Sequence, residues 1–206
     1  MSVAVCKQEL RRRITRARVA EPDKEAKSRA ILEKVFRLPQ FQQARTVLFY
    51  VDAGSEVRTR PFLPRAMAMG KRVAVPYCTR DERGQDVLQL FVLQDLAELE
   101  PGSFGILEPK PVLRAGRALT AQEVDMVLVP GVVFDRQGGR LGHGWGYYDR
   151  LLSGMRPDCW LVGLAYECQV VEEVPMEPQD IYLDLVITER TTYVGRRWLA
   201  RAGGRA

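Results

Sequence analysis

The sequence has little histidine and no closely spaced cysteines. His143 is the single histidine among 206 residues, and no two cysteines form a CxxC pair. A zinc site needs several Cys or His ligands at short spacings, so the sequence predicts none. We interpret the cysteines as reduced thiols of a cytosolic or organelle-matrix protein; they are Cys6, Cys78, Cys159 and Cys168.

Long apolar runs are absent as well. No run approaches the roughly 20 apolar residues that a membrane-spanning helix needs, and charges follow a very short apolar stretch at the N-terminus, unlike a secretory signal. We therefore expect no membrane partner and a cytoplasmic location. An Arg-rich, acid-poor start is also typical of a mitochondrial presequence, so the mitochondrial matrix remains the second choice.

A basic charge over the whole sequence is missing too. The net charge is +5, but residues 1–20 and residues 190–206 each sum to +5, whereas residues 21–189 sum to −5. A protein with an acidic body does not match a nucleic-acid binder that is basic over a whole face. We therefore expect no nucleic-acid partner, although one basic end could hold an anionic ligand.

Short helical and strand patterns alternate along the chain. Apolar spacing predicts helices over 3–20, from Asp23 as N-cap to Pro39, over 59–69 and over 147–155. Apolar runs predict strands over 46–51, 72–76, 87–93, 126–130 (continuing to 134), 160–165 and 184–188, with loops over 94–123 and 135–146.

This alternation predicts an α/β fold: one three-layer domain over residues 1–206, with a mostly parallel, doubly wound sheet flanked by helices. Residues 1–190 form the expected core, and residues 191–206 a frayed, solvated basic tail. Ligands of such sheets bind at the carboxyl ends of the strands, here the loops after residues 51, 76, 130 and 165.

The glycine-rich segment 135–149 is the most informative motif. It follows an apolar strand and contains Arg140 among glycines at 138, 139, 142, 144 and 146. Glycines let the backbone approach a ligand closely, and N–H groups with a guanidinium suit phosphate. The segment has neither the Walker spacing nor the dinucleotide-binding spacing, so glycine content alone would also allow a flexible surface loop.

The motif Gly-x-Arg-Leu-Gly-x-Gly-x-Gly-Tyr-Tyr-Asp, ending at Asp149, resembles the signature of the 5-formyltetrahydrofolate cyclo-ligase family, also called methenyltetrahydrofolate synthetases. Further segments are similar over nearly the whole chain. They are the pair Lys7 and Arg11, residues 56–59, 103–109 and 129–135, Pro175, Asp180, and residues 184–189.

The resemblance implies an enzyme that converts 5-formyltetrahydrofolate to 5,10-methenyltetrahydrofolate with ATP and Mg²⁺, and releases ADP and phosphate. The formyl oxygen would be phosphorylated by ATP before N10 closes the ring. The folate could carry a polyglutamate tail, and we expect a monomer.

Site residues follow from the same resemblance. Those assigned to ATP and its phosphates are Lys7, Arg11, Arg140, Gly142, His143, Gly144, Trp145, Gly146 and Tyr148. Those assigned to folate are Glu56, Phe104 and Tyr147, and the magnesium ligand is Asp149, with Asp135 a weaker candidate.

Several residues keep an ordinary structural alternative. Asp149 could be an acid that stabilises a helix start, Asp135 could cap a turn, and Phe104 could pack in the core. The remaining basic residues of the first helix, Arg12, Arg13, Arg16 and Arg18, are interpreted as a solvated face. His143 and Trp145 occupy variable positions of the motif, and Trp145 cannot neutralise a phosphate.

Two other functions remain open besides the cyclo-ligase. One is a non-catalytic relative that keeps the nucleotide-binding frame as a regulatory module, and the other is a folate-independent enzyme on the same frame. An RNA-binding function ranks last because no known recognition motif is present.

Overall fold

The computed structural model describes residues 3–203, except for the side chains of Val3 and Phe104. Within this range the α-helices are α1 (Val3–Ala20), α2 (Lys24–Arg37), α3 (Pro39–Gln43), α4 (Leu63–Ala68), α5 (Pro111–Arg114), α6 (Tyr147–Ser153) and α7 (Arg196–Gly203). None of these helices has both the length and the apolar character that a membrane crossing requires.

The strands of the described chain are β1 (Thr46–Leu48), β2 (Arg72–Arg80), β3 (Asp86–Val92), β4 (Leu99–Pro101), β5 (Leu107–Pro109), β6 (Ala118–Leu119), β7 (Met126–Val129), β8 (Val133–Asp135), β9 (Arg140–Leu141), β10 (Trp160–Leu164), β11 (Val170–Val171), β12 (Leu185–Ile187) and β13 (Thr192–Val194).

A mostly parallel sheet forms the centre of the fold, as the alternating pattern predicts. Its eight strands follow the order β13-β12-β10-β7-β1-β2-β3-β6. The five strands from β12 to β2 are parallel, and β13, β3 and β6 add antiparallel pairs at the two edges. The fold class is therefore confirmed: one α/β domain with helices on both faces of the sheet.

Two apolar clusters cover the faces of this sheet. Alternate residues of β1 point to opposite faces, so Val47 packs with α2, α3 and α4 while Leu48 packs with Leu152 of α6. Both side chains are fully buried. A strand that is covered on both faces reads as a continuous apolar run, which explains why this run predicted a buried strand.

The predicted continuation of β7 through residue 134 is wrong. The chain turns at Pro130 and Gly131, and Val133–Asp135 then joins a separate sheet with the order β11-β8-β9. Two predicted loops also contain strands: β9 lies within 135–146, and β4, β5 and β6 lie within 94–123. The turn after β7 places the carbonyl of Pro130 beside Arg140 of the glycine-rich segment.

Two helix details differ from the prediction. Asp23 precedes α2, but it has a φ of 55° and its side chain makes no capping hydrogen bond. The helix predicted over 147–155 ends at Ser153. After Ser153 the N–H groups of Gly154 and Met155 donate to carbonyls three residues back, so the last turn tightens and the helix ends.

The prediction of a frayed, solvated C-terminal tail is wrong for residues 192–203. Val194 and Thr192 pair with β12, and α7 follows. Trp198 of α7 packs edge-on against Trp160, with ring centroids 4.8 Å apart. Two of the arginines that suggested a tail, Arg197 and Arg201, instead form ion pairs with one buried carboxylate, Asp184. Residues 204–206 lie outside the described part of the chain.

Candidate active site

A cavity of about 760 Å³ opens at the carboxyl ends of β1 and β7. The loop after β1 supplies residues 53–56, the turn after β7 supplies Pro130 and Gly131, and the glycine-rich segment forms a further wall. Of the four expected loops, those after residues 51 and 130 line this cavity. Residues 76–78 also line it, but from within β2, which continues to Arg80.

A second cavity of about 190 Å³ lies on the other side of the glycine-rich segment. Its lining is polar and includes Lys7 and Arg11 of α1 together with Glu177 and Asp180. Five residues line both cavities: Arg140, Gly142, Gly144, Gly146 and Asp149. The segment that predicted phosphate binding is therefore the shared wall between a large cavity and a small polar one.

Arg140 and Asp149 form an ion pair in that shared wall. Arg140 is buried and its Nη2 donates to Asp149 Oδ1, while Nη1 donates to the carbonyl of Pro130 at 3.4 Å. Burial lowers the pKa of Arg140, and the carboxylate of Asp149 opposes this change. The Nε of Arg140 is buried without a hydrogen-bond partner among the described residues, so a donor remains for a ligand.

Tyr148 contributes a second unsatisfied group. Its hydroxyl oxygen is buried and has no hydrogen-bond partner within residues 3–203, and the residue lines the large cavity. Burial raises the pKa of this phenol well above its usual value, and the negative charge of Glu56 acts in the same direction. The hydroxyl therefore stays protonated and can donate to a ligand oxygen.

Lys7 is held by two acids from a distant segment. Its Nζ lies 2.7 Å from Glu177 Oε2 and 2.9 Å from Asp180 Oδ2. Burial alone would lower the pKa of Lys7, but these hydrogen bonds and charges outweigh it and raise the pKa. The ammonium group is therefore charged at the edge of the polar cavity.

Arg11 contacts the glycine-rich segment directly. Its Nε donates to the carbonyl of Gly142 at 2.7 Å. Gly144 and Gly146 have φ values of +98° and +71°, which other residues rarely adopt. A Cβ at Gly146 would also lie 2.9 Å from Arg150 Nη1. The backbone conformation favours glycine at both positions, whereas space does not decide: a Cβ at Gly144 would lie 3.8 Å from the nearest atom, and the Arg150 guanidinium near Gly146 is the end of a flexible side chain.

Two of the three residues assigned to folate, Glu56 and Tyr147, line the large cavity. Glu56 Oε2 accepts from the Ala53 N–H at 3.0 Å, and its Oε1 lies 3.8 Å from His143 Nε2. Tyr147 is partly buried there. The backbone of Phe104 belongs to a 3₁₀ turn, but its side chain lies outside the described part of the structure.

Three residues assigned to ATP line the large cavity and not the polar one: His143, Trp145 and Tyr148. His143 and Trp145 are exposed at its rim. A single nucleotide that contacts all the residues assigned to ATP would therefore have to occupy both cavities.

Asp135 does not reach either cavity. Its Oδ1 accepts from the N–H groups of Gln137 and Gly139, and its Oδ2 accepts from the Val174 N–H. Oδ1 thus stabilises the turn, as the structural alternative proposed, and Oδ2 joins the turn to the distant segment at Val174. Asp149 is 47% exposed and lines both cavities. No group of three or more potential protein ligands for a metal occurs within the described residues.

Sequence reasoning missed two charged residues of the large cavity. Arg18 was interpreted as part of a solvated face, but it is buried and lines the cavity, whereas Arg12, Arg13 and Arg16 are exposed as expected. Its spacing of i+7 from Arg11 places it on the Arg11 face of α1, a signal that was available. Glu108 is also buried there and accepts from the Cys78 N–H at 3.0 Å.

Comparison with known proteins identifies the family. Residues 3–189 match the model of the 5-formyltetrahydrofolate cyclo-ligase family. The 5-formyltetrahydrofolate cyclo-ligase of Escherichia coli K12 is 33% identical over 156 residues, which cover 75% of this chain and 84% of that protein. The protein of that name from Mycolicibacterium smegmatis is 32% identical and covers 74% and 78% of the two chains.

Solved structures have the same architecture. The 5,10-methenyltetrahydrofolate synthetase of Aquifex aeolicus is 33% identical, with a TM-score of 0.77 over 92% of this chain and 93% of that one. A synthetase of the same name from Mycoplasma pneumoniae, at 24% identity and a TM-score of 0.69, shows the fold alone and covers 89% and 98%.

Proposed function

Because the chain belongs to the 5-formyltetrahydrofolate cyclo-ligase family, we propose that it converts 5-formyltetrahydrofolate to 5,10-methenyltetrahydrofolate with consumption of ATP. The observation that carries this proposal is the wall shared by the two cavities. A phosphoryl donor and a folate must meet at one point, and a buried guanidinium with a free donor lies there. The substrate can carry a polyglutamate tail, and the enzyme acts as a cytoplasmic monomer.

The triphosphate of ATP binds in the polar cavity and along the glycine-rich segment. Lys7, Arg11 and Arg140 supply the positive charge, and N–H groups around Gly142, Gly144 and Gly146 come close to phosphate oxygens. The nucleoside continues past His143 and Trp145 into the large cavity. Lys7 keeps its positive charge there, and its ammonium group contacts the phosphates as well as Glu177 and Asp180.

Ring closure needs the formyl oxygen to become a leaving group. That oxygen attacks the γ-phosphorus, the bond to ADP breaks, and the formyl carbon becomes an activated iminophosphate. N10 then attacks this carbon, its proton leaves, and the C–O bond breaks to release phosphate. Phosphoryl transfer depends on positioning and charge stabilisation, which Arg140 provides at the shared wall.

Mg²⁺ fits this site as a metal held largely by the nucleotide. In phosphate sites it keeps several waters and uses one or two carboxylates with phosphate oxygens, so a protein cage of three ligands is not required. Asp149 would hold it, because its carboxylate is partly exposed at both cavities. When bound, the ion supplies charge neutralisation at the phosphates.

The folate binds in the large cavity. The Glu56 carboxylate accepts hydrogen bonds from the N–H edge of the pteridine, and Tyr147 provides aromatic contact from the cavity lining. The sequence resemblance assigns Phe104 the same aromatic role. The Tyr148 hydroxyl, which has no partner in the fold, donates to an oxygen where nucleotide and folate meet.

The test is a direct assay of the reaction. Purified protein is mixed with 5-formyltetrahydrofolate and Mg-ATP, and the absorbance of the methenyl product is followed. We expect a signal that depends on ATP and is accompanied by equal amounts of ADP and phosphate. Binding of both ligands without product would instead indicate the non-catalytic relative, and product without ATP hydrolysis would contradict the mechanism.

A further inference from the structure

Arg18 is a cation of the large cavity that the steps above do not use. Lys7, Arg11 and Arg18 share one face of α1, at positions i, i+4 and i+11. The first two line the polar cavity, whereas Arg18 lies two turns beyond Arg11 and lines only the large one. The same helix face therefore presents positive charge to both halves of the proposed site.

The guanidinium of Arg18 connects two loops of the site. Its Nε donates to Ser55 Oγ at 3.0 Å and its Nη1 donates to the carbonyl of Gly131 at 3.1 Å. Ser55 precedes Glu56, the proposed pteridine ligand. Gly131 follows Pro130, whose carbonyl accepts from Arg140. Arg18 is thus fixed between the acid that recognises folate and the arginine at the shared wall.

The charge of Arg18 is not balanced by the described residues. Arg18 is only 4% exposed, and both of its hydrogen-bond partners are neutral oxygens. Lys7 has two acids and Arg140 has Asp149, but no carboxylate between residues 3 and 203 forms an ion pair with Arg18. A buried, unpaired charge is unfavourable, and a guanidinium has five N–H donors, of which these contacts use two.

We propose that Arg18 is a further folate-binding residue, which donates hydrogen bonds to an oxygen of the substrate. This inference rests on the proposed function. A carboxylate accepts hydrogen bonds and a guanidinium donates them, so Glu56 and Arg18 together are complementary to a ligand with both kinds of groups. The oxygen belongs either to the formyl-pteridine end or to the glutamate carboxylates, which share the required acceptor chemistry.

Binding measurements on separate ligands test this role. Dissociation constants are determined for 5-formyltetrahydrofolate without ATP and for Mg-ATP without folate, together with the thermal unfolding midpoint. We expect Arg18→Ala to weaken folate binding by about tenfold or more, Arg18→Lys to weaken it less, and ATP binding to stay as in the wild type. Arg16→Ala, an exposed arginine of the same helix, is the matched control and should change neither constant.

A second ligand identifies the oxygen. 5-Formyltetrahydropteroate lacks the glutamate, so an equal loss for both ligands places the contact at the pteridine end. A loss seen only with the complete folate places it at the carboxylates. Either result supports the proposal.

Two results would overturn it. One is folate affinity that stays within about twofold of wild type in both Arg18 variants. The other is a parallel loss of folate and ATP affinity with a lower unfolding midpoint, which a structural role would produce. If Arg18→Ala does not fold, Arg18→Lys and Arg18→Gln decide by the same criteria. Wild-type protein that binds folate but forms no product would refute the proposed function and leave this assignment standing, whereas absence of folate binding would refute both.

Discussion

Arg140 presents its guanidinium where the two cavities meet, so its removal should act on the reaction more than on the fold. In Arg140→Ala, the γ-phosphoryl group loses a buried donor, and we expect turnover to fall by about 10²-fold or more. Its partner Asp149 is half-exposed and can be solvated once the guanidinium is gone. Steady-state kinetics and circular dichroism measure the two effects.

Two variants sharpen this prediction. Arg136→Ala removes an exposed arginine from the same segment and should retain wild-type kinetics. Arg140→Lys keeps the charge but loses the fork geometry, so it should recover only part of the rate. Unchanged kinetics in Arg140→Ala would refute the role assigned to this residue.

The buried hydroxyl of Tyr148 leads to a second prediction. Without ligand this group has no partner in the described structure, so Tyr148→Phe removes an unsatisfied polar group and should leave stability unchanged or raise it by up to about 1 kcal/mol. The same change should raise the KM of the substrate, ATP or folate, whose oxygen loses this hydrogen-bond donor. Thermal unfolding with and without ligands separates the two. A clear loss of stability in the ligand-free variant would mean that the hydroxyl bonds within the fold.

At the residue level, the motifs identified side chains that the fold brings together, whereas their binding roles stay predictions. Arg140, Lys7 and Arg11 were singled out from sequence, and the structure brings them to one wall and one small cavity. Arg18 was missed because it stands in a run of arginines, where charge alone suggests a solvated face. Its burial depends on Ser55 and Gly131, which are distant in sequence and which only the fold brings near.

Among the elements, β1 and β7 are fixed at their start by one carboxylate. Asp125 Oδ2 accepts from the N–H groups of Arg45 and Thr46 at 2.8 and 2.9 Å, and Oδ1 accepts from Arg156 at 2.7 Å. Burial alone would raise the pKa of Asp125, but these donors outweigh it and hold the pKa below its usual value of 3.8. The carboxylate thus aligns the ends of two strands whose opposite ends open into the cavity.

A pH-dependent loss of stability should follow from Asp125. Because its folded pKa is depressed, its contribution is present above the unfolded value near 3.8 and is lost as the pH falls through the folded value. Asp125→Asn should lower the free energy of unfolding by about 1–3 kcal/mol at pH 7, and this difference should shrink below about pH 3.8. Urea unfolding over a pH series measures it. Asp158→Asn, which removes an exposed partner of Arg156, is the control. A difference that is constant with pH would contradict the assignment.

At this scale the sequence predicted which elements exist better than where they end. The run 46–51 predicted a strand, but ladder pairing stops at Leu48 because the chain then leaves the sheet to form the loop with Glu56. The apolar run through residue 134 hides the turn at Pro130, since Val133 and Phe134 are buried in a strand of a different sheet. Apolar patterns report burial, and they do not report which sheet provides it.

For the whole molecule, the C-terminal segment shows how charge composition misleads. Residues 190–206 hold five arginines and no acid, which predicted a solvated tail over residues 191–206. The compensating acid is Asp184, which is fully buried and precedes β12 by one residue. Arg197 and Arg201 both pair with it, and Arg201 also lies 4.4 Å from the centre of the Trp160 ring. The tail is therefore part of the domain through contacts that no local pattern encodes.

Shortening the chain tests this conclusion. A protein that ends at Arg196 keeps β13 but leaves Asp184 buried without its two arginines and exposes Trp160. Removal of a partner from a buried ion pair costs about 3–5 kcal/mol, a large part of the 5–15 kcal/mol that stabilises a typical domain. We therefore expect a clearly lower unfolding midpoint, whereas a chain that ends at residue 203 should resemble wild type.

The double variant Arg197→Ala and Arg201→Ala should reproduce most of the loss, and adding Asp184→Asn should recover part of it, because the uncompensated charge is then gone. Equal stability of the chains ending at 196 and 203 would mean that α7 is held only weakly. Loss without recovery by Asp184→Asn would instead attribute the stabilisation to the packing of Trp198 on Trp160.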